Sequence, residues 1–141
     1  MINKKTFPKI ALGAWAWGND GTFGMGTSEK MLAGFLKDLP RDAYFISDKF
    51  TPQCADSASP AAMKDMVEMQ EKLMGLDHFD IYWIHNVSEA PKWTEELAKY
   101  FKGREKVPLL GVSNHNLAEI KEAAAILNAH GLKLSAVQNH Y

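Results

Sequence analysis

A single cysteine, Cys54, among 141 residues excludes an internal disulfide. Charge of one sign is missing too: 16 Lys plus Arg stand against 17 Asp plus Glu. No basic run is present to track a phosphate backbone, which sets nucleic acid aside as a partner. The N-terminal MINKKTFPKIALG contains no apolar stretch long enough for a signal or a membrane span. The expectation is a cytoplasmic protein with no membrane association. His78, His85, His115, His130, His140 and Cys54 form neither a CxxC nor an HExxH spacing, so no metal site is expected. The glycines from Gly18 to Gly26 make neither a GxGxxG that opens a helix after a strand nor a GxxxxGK phosphate loop. No low-complexity segment or short repeat is present.

What the chain does have is 46% hydrophobic residues, enough for the core of one domain spanning 1–141. It also has four successive apolar runs that each end on a polar group. These are Lys49 after AYFIS, His85 after FDIYWI, Ser113-Asn114 after LLGV, and Gln138 after LSAV. The runs recur every 24 to 36 residues with a helix-like segment between neighbours, the spacing of a strand, a crossover helix and the next parallel strand. This is an α/β pattern. Parallel βα units place the C-terminal ends of their strands on one rim, so these polar groups are expected to converge.

The remaining elements are read from periodicity and punctuation. Lys9 to Trp17 reads as a buried first strand followed by a glycine-rich loop. A helix capped by Ser28 carries Met31, Leu32, Phe35 and Leu36 toward a sheet and stops at Pro40. Ala43 to Phe50 is the next strand. A helix opened by Ser59-Pro60 puts Met63, Met66, Val67, Leu73 and Met74 on one face, with Gly75 as its C-terminal cap. Phe79 to Ile84 is a strand, Ala90 to Phe101 a helix, and Val107 to Val112 another strand. Asn116 and Glu119 form a capping box for a helix that buries Leu117, Ile120, Ala124 and Leu127 and ends near Gly131. Leu134 to Val137 begins one more strand.

Each rim residue has a chemical and a bland reading. Burial would lower the pKa of Lys49, while Asp48 would oppose that change; a strand-end lysine can also be a solvated tip with a packed stem. His85 could donate a hydrogen bond to a carbonyl oxygen, or be a satisfied structural histidine. Ser113, Asn114 and Gln138 offer a hydroxyl and two carboxamides that together could read an amide-bearing ring. Singly, Asn114 and Ser113 could serve only local turns. Trp15, Trp17, Trp83 and Trp93 read as core or pocket wall.

In order along the chain, KIALGAWAWG, GTSEKMLAGFLKDLPRDAYFISDKF, LMGLDHFDIYWIHN, GVSNHNLAEI and AVQNHY resemble the aldo-keto reductase family. The resemblance implies a parallel (β/α) barrel of TIM type, here incomplete with about five strands; an open flavodoxin-like sheet is the alternative. It implies NADPH as cofactor and a small aldehyde or ketone as substrate. Lys49 and His85 match the family's active-site lysine and histidine. Ser113, Asn114 and Gln138 match the residues that bond the nicotinamide carboxamide.

Two departures accompany the match. The family's proton-donating tyrosine lies in a DTAxxYG segment, where this chain has NDGTF, with Phe23 at the tyrosine's place and Asp20 at the wrong spacing. A first crossover and second strand, roughly 25 to 30 residues, are also missing. Moreover, a complete barrel of this type needs at least about 200 residues. The expectation is a reductase-derived chain that is inactive by itself. The alternatives are a non-catalytic scaffold that self-associates through open sheet edges and a Schiff-base lyase using Lys49.

Overall fold

Asp80 fixes where the sheet begins. In a computed structural model, which describes residues 8–14, 26–56 and 58–140, its carboxylate accepts from the Ile46 backbone N–H at 2.8 Å and from the Arg41 guanidinium at 2.7 Å. Arg41 also donates to the Tyr44 carbonyl at 3.0 Å. Backbone groups expected in a ladder from Ala43 onward therefore go to side chains instead. A 3-10 turn, Arg41–Ala43, precedes a strand confined to Ser47–Phe50 (β1).

The elements before and after β1 are α1 (Thr27–Leu36), α2 (Ala62–Met74), β2 (Ile81–Ile84), α3 (Ala90–Lys102), β3 (Leu109–Ser113), α4 (Leu117–Ala129) and β4 (Leu134–Gln138). The four strands form one parallel sheet in the order β1-β2-β3-β4. Such a sequential order is singly wound, as in a barrel, whereas a flavodoxin-like sheet reverses its order at a switch point. The architecture is thus α/β, an arc of a (β/α) barrel. Four strands are present among the described residues, against about five expected.

Alternation along the strands sends Phe50, Tyr82, Ile84, Leu110 and Val112 to the helix-covered face, where each is almost fully buried. Met63, Val67 and Met74 of α2, Trp93, Leu97 and Phe101 of α3, and Ala123 and Leu127 of α4 complete this core. Each large side chain withdrawn there contributes about 1.5–3 kcal/mol. Helix ends follow the sequence closely at two places. Gly75 caps α2 in the left-handed conformation, and Asn116 and Glu119 close a reciprocal capping box on α4.

Four expectations fail locally. The first strand is absent from residues 9–14, where Ile10 and Leu12 are exposed and no described strand lies beside them to pair with; residues 15–17 and most of the following glycine-rich loop lie outside the described residues. The N-cap of α1 is Gly26 rather than Ser28, because the Gly26 carbonyl already accepts from Lys30 N–H at 3.1 Å. Its φ of 84° favours glycine, and a Cβ there would fall 2.6 Å from Leu73 Cδ1. Finally, α1 packs on α2 more than on the sheet, so Met31 and Phe35 stay exposed while Leu32 and Leu36 reach the core edge. Leu117, at the start of α4, is also exposed.

Candidate functional site

On the face opposite the helices, the register aligns Lys49, Trp83, Gly111 and Ala136 in one row and Ser113 with Gln138 in the next. Lys49 Nζ donates to Gln138 Oε1 at 2.5 Å. In a flat sheet, strands three places apart are separated by about 14 Å and their side chains stand parallel. The contact therefore requires a concave sheet. Trp83 shows how the concavity is filled: its indole donates to Ser47 Oγ at 2.6 Å and lies across Gly111, where a Cβ would come within 2.3 Å of the ring. Glycine inside a strand permits this approach.

His85 follows β2, its N–H donating to the Phe50 carbonyl at 3.0 Å. Its Nδ1 is 2.8 Å from Thr51 Oγ1, and its carbonyl accepts from Asn114 Nδ2 at 2.9 Å. The same Nδ2 lies 3.0 Å from Ser113 Oγ, and the Asn114 backbone N–H donates to the Gln138 carbonyl at 3.1 Å. Asn114 sits at φ 61°, in the left-handed region that asparagine tolerates better than most residues. All five expected rim residues are thus brought to one end of the sheet. Lys49 joins Gln138 directly, and Asn114 joins Ser113 and His85.

The electrostatics follow from partial enclosure. Burial lowers the pKa of Lys49, and the Asp48 charge opposes it, as the sequence implied. Burial, then the charge of Lys49, lowers the pKa of His85 and favours the neutral imidazole. Asp48 is pushed up to about 7, first by burial and then by Glu29 of α1. Its Oδ1 accepts from the Lys49 N–H at 2.7 Å, while Oδ2 is enclosed without a partner among the described residues. Asn114 Oδ1 and Gln138 Nε2 make no hydrogen bond among the described residues. They leave one acceptor and one donor, the complement of a primary amide.

Several supporting residues escaped the sequence reading. Thr51 orients His85. Gln70 of α2 donates to the Lys49 carbonyl at 3.0 Å and accepts from Tyr82 Oη at 2.6 Å. Gly111, a lone glycine inside an apolar strand, carried the one signal that was available. Tyrosine is the notable lack: among the described residues Tyr44 precedes β1, Tyr82 faces the helices and Tyr100 lies on α3 beside Arg104. Phe23 and Asp20 lie outside the described residues. No group of three or more His, Cys, Asp or Glu is arranged for a metal among the described residues. None of the described helices is long and apolar enough to cross a membrane.

Comparison with known proteins gives the family of the chain. The chain is 33% identical over 97 residues to the NADPH-dependent alpha-keto amide reductase of Saccharomyces cerevisiae, covering 61% of this chain and 29% of the relative. It is 26% identical over 141 residues to the aldo-keto reductase yakc of Schizosaccharomyces pombe, named for NADP(+), covering 92% and 40%. Its fold matches that of an aldo/keto reductase from Klebsiella pneumoniae in complex with NADP and acetate, with a TM-score of 0.58 at 21% identity over 72% of this chain and 35% of the other. An aldo-keto reductase of the same organism in complex with NADPH gives a TM-score of 0.57 at 21% identity over 72% and 34%. The chain spans between 29% and 40% of the length of these relatives. The aldo/keto reductase family model matches residues 14–141, and the chain belongs to that family.

Proposed function

We propose that the rim of Lys49, His85, Ser113, Asn114 and Gln138 is the nicotinamide and carbonyl end of an NADPH-dependent reductase site acting on a small aldehyde or ketone. The observation that carries this reading is the joining of Lys49 to Gln138 across the four-stranded sheet, with Gln138 Nε2 and Asn114 Oδ1 making no hydrogen bond among the described residues. The NADP and NADPH complexes of the Klebsiella pneumoniae neighbours, and the NADPH-dependent relative in yeast, support the choice of cofactor. Ser113, Asn114 and Gln138 would hold the nicotinamide there, and a reduced nicotinamide would supply a hydride to the carbonyl carbon.

The chain's own residues then deal with the oxygen. As the hydride arrives, the carbonyl π electrons move onto oxygen, and negative charge develops there. A neutral His85 whose Nδ1 accepts from Thr51 carries its proton on Nε2 and can donate it in a hydrogen bond to that oxygen. Lys49, still cationic but weakened as a base by burial, stabilises the alkoxide by its charge. The final step needs a proton donor. Phe23 stands where the family resemblance puts a tyrosine, so we propose that this chain binds nicotinamide but turns over carbonyl substrates poorly.

Titration of the isotopically labelled chain with reduced nicotinamide mononucleotide should shift the side-chain amide resonances of Asn114 and Gln138. Incubation with NADPH and an aromatic aldehyde should consume little cofactor. Rapid turnover refutes the proposed lack of a donor, and unshifted amides refute the nicotinamide site. Borohydride trapping of Lys49 with a ketone would instead favour Schiff-base chemistry. The free Cys54 thiol accords with a reducing, cytoplasmic setting.

A further inference from the structure

At the ends of β3 and β4 the Asn114 N–H donates to the Gln138 carbonyl at 3.1 Å. One side chain continues the pairing. Asn139 Oδ1 accepts from the His115 N–H at 3.0 Å, and Asn139 Nδ2 donates to the His115 carbonyl at 2.7 Å. The carboxamide thus grips both polar groups of a single residue, as an adjacent strand would. His115 is itself almost fully buried, and its ring Nδ1 donates to the Ser113 carbonyl at 2.7 Å. Asn114, in its left-handed conformation, is held between these two anchored neighbours.

We infer that Asn139 is a positioning residue for nicotinamide recognition, its two-pronged grip on His115 holding the Asn114 and Gln138 carboxamides at one spacing and orientation. This rests on the nicotinamide site proposed above. Asn139 touches none of the reacting atoms. It acts through the backbone: Gln138 is its chain neighbour, and Asn114 is the neighbour of the residue it grips. Without the grip, the β3 end would be tied to the β4 end by the Asn114 to Gln138 bond alone. Asn114 could then relax from φ 61° toward the more populated negative-φ regions, moving its carboxamide from the proposed nicotinamide site.

The test compares the wild-type chain with Asn139→Asp, which keeps the acceptor and loses the donor, and Asn139→Ala, which loses both. Amide hydrogen exchange at Asn114 and His115 should rise about tenfold or more in Asn139→Ala, with exchange in β1 and β2 unchanged. Affinity for reduced nicotinamide mononucleotide, read from the Asn114 and Gln138 side-chain amides, should fall roughly tenfold in Asn139→Ala, the order expected for two ordinary hydrogen bonds. Asn139→Asp should lie between. The urea midpoint should fall in Asn139→Ala as well, by no more than the loss of two hydrogen bonds implies, because Asn139 lies outside the core. A lower midpoint with unchanged nucleotide affinity would reduce Asn139 to a structural role and overturn the inference. Absence of nucleotide binding by the wild type, with slow exchange at His115 intact, would overturn the nicotinamide site itself and the positioning role with it. Unchanged exchange in both variants would overturn the grip.

Discussion

Asp48 should make the protein less stable as pH rises through the acid range, and Asp48→Asn should remove that loss. The carboxyl titrates at about 7 in the folded chain against an ordinary 3.8, because burial and the facing Glu29 penalise its charged form more than the Lys49 N–H and the Lys49 charge favour it. The folded state therefore holds a proton that the unfolded state has released between these two values. Stability falls with pH across that window and levels off above it. The gap, at about 1.36 kcal/mol per pH unit, sets a ceiling of roughly 4 kcal/mol. The groups facing Asp48 are Glu29 of α1, Tyr82 of β2, and its neighbour Lys49. Asparagine keeps an acceptor for the Lys49 N–H and has no charge to desolvate. Urea denaturation at about pH 8 should show Asp48→Asn more stable than the wild type by about 2 to 4 kcal/mol, whereas near pH 4 the two should nearly coincide. Taking the difference between the two proteins cancels the background of Glu71, Asp77 and His85. Parallel pH profiles for wild type and variant would refute the reasoning. There is a consequence at the rim: as Asp48 ionises, its charge opposes the lowering of the Lys49 pKa by burial.

Gly111→Ala should lower the urea midpoint by an amount equivalent to about 1–3 kcal/mol and change the tryptophan fluorescence, since its Cβ would sit within 2.3 Å of the Trp83 ring. Adding Trp83→Leu should recover most of the loss, and failure to do so would mean that the clash lies elsewhere. Asn116→Ala should cost about 1 kcal/mol through loss of the α4 capping box, measured by the same denaturation. Lys49→Met should release Gln138 and weaken binding of reduced nicotinamide mononucleotide, read from the Gln138 side-chain amide. The outer edges of β1 and β4 are unpaired among the described residues, so sedimentation should show association that grows with concentration. Val137→Lys, at an exposed position of β4, should reduce it.

The parts of the fold legible in the sequence were those set by local chemistry. The capping box at Asn116 and Glu119 and the glycine cap at Gly75 depend on a few adjacent residues, and both form as read. The convergence of Lys49, His85, Ser113, Asn114 and Gln138 was legible because parallel βα units leave strand ends no other arrangement. What was not legible depends on partners distant in sequence. Residues 9–14 are as apolar as a strand but have no strand neighbour among the described residues, and β1 begins late because Asp80, more than thirty residues away, takes the Ile46 N–H. Thr51 and Asn139 are ordinary polar residues by sequence. Each acquires a role only when folding puts it beside a histidine.

Curvature is where the two kinds of information meet. Five βα units could equally well cover a twisted open sheet, and nothing in the hydrophobic pattern of the strands separates that from an arc of a barrel. The decision lies on the face away from the helices. There Gly111 gives no side chain, Trp83 of the adjacent strand spreads into the space it leaves, and Lys49 and Gln138 lean in from the two edge strands until they touch. A bulge in β4 beside Gly111 adds local twist at the same level. The concave face is therefore held by the same residues that make the rim polar, and flattening the sheet would separate Lys49 from Gln138 and dismantle the site. On this account the shape of the barrel arc and the polarity of its rim are a single feature: a substitution that relieves the packing of Trp83 on Gly111 should act on the Lys49–Gln138 contact, and so on the proposed nicotinamide site, even though neither residue lies at the strand ends.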